Sequence, residues 1–153
     1  MLKKIFFLFL FTILIGCGYT PVHNIEKNKK ISITSLEFIN GDREINIGLK
    51  QNLRPFMSSN ENNNSFSLIT ESLYTKDVIS KNSAGTVTKY SLKAEVTFVV
   101  KYKNKSENFR FLETFIMDKL DDDFENRKYE NTIKQNFANT IYQKLVTKLL
   151  LIQ

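Results

Sequence analysis

The chain has 153 residues, 22 Lys and Arg against 16 Asp and Glu, and a formal net charge of +6 at pH 7. It holds one cysteine, Cys17, and one histidine, His23, so no internal disulfide can form. Those two counts also exclude a CxxC redox pair, and they argue against a zinc site of ordinary composition and a Ser-His or Cys-His nucleophile. The positive balance suits an anionic surface or an acidic ligand, although net charge speaks first to solubility.

Lys3 and Lys4 precede an apolar run from Ile5 to Ile15, and Leu14-Ile15-Gly16 leads directly into Cys17. A basic start, a short apolar run and a small residue at a cleavage point make an export signal. The run is about half of the ~20 residues that a spanning helix needs. A cysteine directly after that point is the bacterial lipoprotein pattern. On this reading residues 1–16 are removed, Cys17 becomes a lipidated N-terminus, and the rest works at a membrane. Gly18, in place of an acidic residue, favours the periplasmic face of the outer membrane. One acyl chain binds only marginally, so a stable anchor needs two or three.

Residues 18–30 are polar, interrupted by Pro21, and show no period, so 17–30 reads as lipidated N-terminus and linker. A flexible linker of this length reaches about 20 Å. Residues 31–153 then read as one small domain.

Ile31–Ile39 alternates as a strand, with Ile31 and Ile33 on one parity and Leu36 and Phe38 on the other. Asn40-Gly41-Asp42 is a turn signal. Arg43–Met57 predicts a helix, because Ile45, Leu49, Leu53, Phe56 and Met57 recur at spacings of three and four. Pro55 predicts an end or a kink there. Ser58–Ser65 reads as an asparagine-rich loop.

Phe66–Ile79 predicts a second strand, closed by a turn at Asn82–Gly85. In the third, Tyr90, Leu92, Ala94, Val96, Phe98, Val100 and Tyr102 share one parity. Lys89, Ser91, Lys93, Glu95, Thr97 and Lys101 share the other, broken only by Val99. Period two at this length means one buried and one wet face. After a turn at Lys103–Ser106, Glu107–Asp118 predicts a fourth strand with Phe109, Phe111, Phe115 and Met117 on one side.

A long helix is predicted from Glu125 to Leu151, with the stripe Ile133, Phe137, Ile141, Leu145, Leu149 and Ile152. Asp121, Asp122, Asp123 and Glu125 at its start, and Lys144 and Lys148 near its end, suit the helix dipole. The acidic run lacks the spacing of a calcium loop. The order β-α-β-β-β-α predicts an α+β two-layer sandwich: a mostly antiparallel four-stranded sheet with two helices on one face.

The opening Cys17-Gly18-Tyr19-Thr20-Pro21, this element order, Thr88-Lys89-Tyr90-Ser91-Leu92 and the run from Tyr129 through Phe137-Ala138-Asn139 to Leu145 together resemble the LptE family of lipopolysaccharide-assembly lipoproteins. The resemblance implies a non-enzymatic protein that plugs the LptD outer-membrane β-barrel and helps it assemble. It also implies that lipopolysaccharide is a possible ligand, with no cofactor beyond the lipid on Cys17 and no nucleic acid as partner. Lys89, Lys93 and Lys101 on the wet strand face, and Lys103 and Lys105 at the turn, are the candidate contacts for lumen residues or lipid phosphates. A solvated strand face explains the same lysines more simply. The rival functions are another lipoprotein adaptor, such as a pilot for a secretion barrel, and a small lipid-binding carrier. An enzyme is disfavoured, since the expected domain has no histidine and no glycine-rich phosphate loop.

Overall fold

The computed structural model describes residues 31–58 and 65–152. Cys17, the leader and the linker lie outside those residues. The elements are β1 (Ser32–Asn40), α1 (Arg43–Leu53), β2 (Ser65–Lys81), β3 (Val87–Tyr102), β4 (Lys105–Asp118) and α2 (Asp123–Leu151). The order is the predicted β-α-β-β-β-α. The sheet runs β1-β2-β3-β4 and is mixed: β1 pairs with β2 in parallel, and the other two pairings are antiparallel.

The change of parity in β1 has a structural cause. The pairing with β2 skips at Thr34, so Ile33 faces Phe66 while Leu36 faces Leu68. This bulge brings Ile33, Leu36 and Phe38 to one side of the sheet despite their odd spacing. α1 ends at Leu53, and Pro55 sits in a single 3-10 turn, Arg54–Phe56. The helix thus stops before the proline, as its missing N–H and ring clash require. Met57 leaves the predicted helical stripe. It is exposed and bridges to Ile33 in the strand direction.

Helix starts are made by side chains. Asp42 caps α1 by accepting from the backbone N–H groups of Glu44 and Ile45 at 3.0 and 3.1 Å. Asp122 caps α2 through the N–H of Glu125, which gives the acidic run a helix-capping role. The turn before Asp42 needs Gly41: its φ is +126°, and a Cβ there would lie 2.1 Å from the Ser72 carbonyl oxygen.

The core lies between one sheet face and the helices. Leu92, Ala94, Val96 and Phe98 of β3, Phe66 and Leu68 of β2, and Met117 of β4 are fully buried. Opposite them are Ile45, Leu49 and Leu53 of α1 and Ile133, Phe137, Ile141, Leu145 and Leu149 of α2. Each of these side chains larger than alanine stabilises the fold by about 1.5–3 kcal/mol relative to exposure. α2 packs on α1, β3 and β4. It packs tightly on α1 at Gly48, where an added Cβ would come within 2.8 Å of the Ala138 Cβ.

A polar cluster joins the layers. Lys134 of α2 donates to Asp42 at 2.7 Å, Tyr74 donates to Glu130 at 2.8 Å, and Lys76 donates to Glu130 at 2.6 Å. Burial pushes the Glu130 carboxyl upward, but hydrogen bonds from Lys76 and Tyr74 and the charges of Lys76 and Lys134 outweigh it. Glu130 therefore sits below the usual carboxylate range. Burial, and then the hydrogen bond to Glu130, push the Tyr74 hydroxyl well above its ordinary value.

Candidate functional site

The helices cover one sheet face. The other carries the alternate residues of every strand, and its character changes along its length. In the middle, Leu73 of β2 and Leu112 of β4 flank Glu95 of β3 in register. Both leucines are more than half exposed, as is Ile116 further along. Arg110 holds the Glu95 carboxylate at 2.6 Å. A groove of about 430 Å³ opens beside them, lined by Asn40, Asp42, Glu71, Glu95 and their neighbours. It is acidic, yet Asp42 and Glu95 already have cationic partners, and no metal-binding cluster occurs among the described residues.

The β3–β4 end is basic and rich in hydroxyls. Lys103 and Asn104 are the two turn residues, with φ of 45° and 62°. Two consecutive left-handed residues make the tight turn whose twist matches an antiparallel hairpin. This turn seats Lys103 at the apex and sets Lys101 and Lys105 on its two flanks, with Lys101 facing Ser106 and Tyr102 facing Lys105. Tyr102 stacks on Phe66 with ring centres 4.7 Å apart, which anchors the hairpin to the core. The Lys103 ammonium lies 4.6 Å from the centre of the Tyr102 ring. An open groove of about 460 Å³ here is lined by Lys101, Lys103 and Lys105, by Tyr102 and Asn104, and by the hydroxyls of Thr34, Ser65, Ser67 and Ser106. Among the described residues, no carboxylate lines it.

The five candidate lysines thus do not form one site. Lys89 pairs with Asp118 at 3.2 Å and Lys93 with Asp77 at 3.6 Å. At about 3.3 Å per residue, Lys89 lies roughly 40 Å along β3 from Lys101. Lys101 and Lys105 are exposed and make no ion pair among the described residues. The groove also contains residues that the strand pattern did not single out. Thr34, Ser65 and Ser67 reach it because β1 lies parallel beside β2 and β2 beside β3. Nothing in those serines and threonines signals a site until the strand order is known.

No family model matches the chain, and no curated protein matches it. Solved structures that share its fold include two bacterial lipoproteins. The rare lipoprotein B of Shewanella oneidensis superposes with a TM-score of 0.60 at 20% identity, over 79% of this chain and 98% of the other. A minor lipoprotein from Acinetobacter baumannii gives a TM-score of 0.55 at 16% identity, over 76% of this chain and 92% of the other. The chain shares the fold of these two bacterial lipoproteins.

Proposed function

We propose that this chain is a lipid-anchored protein of the outer membrane that plugs an LptD-like β-barrel and supports its assembly, in the insertion of lipopolysaccharide into the outer leaflet. The carrying observation is the whole-domain likeness to the Shewanella lipoprotein, which spans 98% of that chain. The leader and Cys17 pattern independently supports a bacterial lipoprotein. The anchor in this reading is covalent lipid on Cys17, with no other cofactor and no catalytic role.

The physical features of the domain suit a plug. The space between sheet and helices is filled by fully buried side chains such as Phe66, Phe98, Leu145 and Leu149. A carrier would instead need an apolar cavity between those layers. The uncovered sheet face mixes charges, hydroxyls and a few exposed leucines and isoleucines, a surface suited to the polar lumen of a large barrel. In this reading the Leu73–Leu112 region is the partner-facing part.

The test is affinity recovery of the tagged full chain from detergent-solubilised outer membranes, probed for an LptD-like barrel. Stoichiometric recovery of that barrel is expected, with a reduced yield for Leu73→Asp combined with Leu112→Asp. Recovery of the chain without the barrel would overturn the reading.

A further inference from the structure

We propose that the groove at the β3–β4 turn binds the phosphates of anionic glycerophospholipid headgroups in the leaflet that holds the tether. The inference rests on the tethered reading and adds to it the surface that meets the membrane. Strand register carries the argument. Ser32 lies beside Ser65 and Ser67 lies beside Lys101. The first described residue, Ile31, is therefore at the same end of the sheet as the Lys103–Asn104 turn. It is two strand spacings from β3, or about 10 Å. The chain between Cys17 and Ile31 is residues 18–30. That length averages about 20 Å when flexible and cannot exceed roughly 45 Å. A lipid on Cys17 thus holds this end of the domain nearest the bilayer.

Charge at that end is suited to phosphate. Lys101, Lys103 and Lys105 surround a groove whose described lining carries serine and threonine hydroxyls and no carboxylate. The other groove on the same face is lined by Asp42, Glu71 and Glu95. A positive rim close to the tether and a negative lining far from it orient the domain against an anionic surface. The Tyr102–Phe66 stack fixes the hairpin, so that little order is lost when the lysines engage. Lys27, Lys29 and Lys30 of the linker add positive charge on the same route.

The test uses the chain from residue 17 onward as Cys17→Ser, so that no acyl chain contributes. It is sedimented with vesicles of phosphatidylethanolamine containing phosphatidylglycerol. Salt-sensitive binding is expected. Combined Lys101→Gln, Lys103→Asn and Lys105→Gln should weaken it roughly fivefold per lysine, or about 100-fold in all. Asparagine at 103 keeps the left-handed turn accessible. Lys89→Gln with Lys93→Gln should stay within about threefold of the parent, since both lie roughly 25–40 Å along β3 from the groove, beyond the reach of screened charge. Equal losses in the two sets would overturn the site, and so would unchanged binding of the triple variant when circular dichroism shows it folded. Binding to lipopolysaccharide dispersions but not to phosphatidylglycerol vesicles would overturn the headgroup assignment. Because the protein in this assay carries no lipid, its outcome is separate from whether Cys17 is acylated.

Discussion

Asp42 joins α1 to α2, and its removal can be predicted term by term. One carboxylate oxygen accepts the N–H groups of Glu44 and Ile45 at the start of α1. The other accepts from Lys134 of α2 at 2.7 Å, with the two side chains only 16% and 13% exposed. Loss of an N-cap costs about 1 kcal/mol. The ion pair falls between an exposed one, worth under ~1 kcal/mol, and a fully buried one, whose breakage costs ~3–5 kcal/mol. About 2 kcal/mol is a reasonable intermediate. Asp42→Ala should therefore destabilise the domain by about 3 kcal/mol. Asp42→Asn keeps a capping oxygen and should cost about 2 kcal/mol. In a Lys134→Met background the same Asn substitution should cost under ~0.5 kcal/mol, because the pair is already gone. Urea unfolding of the four proteins of this cycle gives the coupling directly. A coupling near zero, or an Asp42→Asn variant as stable as its parent, would refute the claim that this pair holds α1 to α2.

Gly48→Ala should destabilise by about 1–3 kcal/mol through overpacking against Ala138, despite a helix-propensity gain of ~1 kcal/mol. Adding Ala138→Gly should recover part of the loss, and a more stable Gly48→Ala protein would contradict the close helix contact. Thr70 is fully buried, and its hydroxyl has no hydrogen-bond partner among the described residues. Thr70→Val should raise stability by about 1 kcal/mol in the same urea assay. Glu130 is held below the ordinary carboxylate range. Its contribution is therefore complete above about pH 4.3, the unfolded value, and is lost as pH falls through the lower native one. Glu130→Gln should be less stable than the parent at neutral pH and should show a shallower acid limb; an identical limb would refute the assignment.

Much of the fold is legible in residue order, for reasons that the structure makes specific. β3 alternates cleanly because one face is buried along the strand by α1 and α2 while the other stays open. The stripe of α2 is legible because those residues meet a continuous core. β1 is harder, since its parity changes at Thr34 and period counting has no way to see a bulge. Met57 matches the spacing of α1, but Pro55 ends the helix before that spacing applies. The site is less legible than the fold. The five lysines are chemically alike in the sequence, and only strand register reveals that Asp118 and Asp77 sit beside Lys89 and Lys93. The hydroxyls of Thr34, Ser65 and Ser67 join the groove through the parallel β1–β2 pairing, which hydrophobic patterning does not encode.

The account depends most on what happens at the cysteine. Cells expressing the full chain or its Cys17→Ser variant can be grown with labelled fatty acid, and the recovered proteins compared. The account predicts label in the parent and none in the variant, which should also keep its leader. Equal labelling of the two, or none in either, would contradict it.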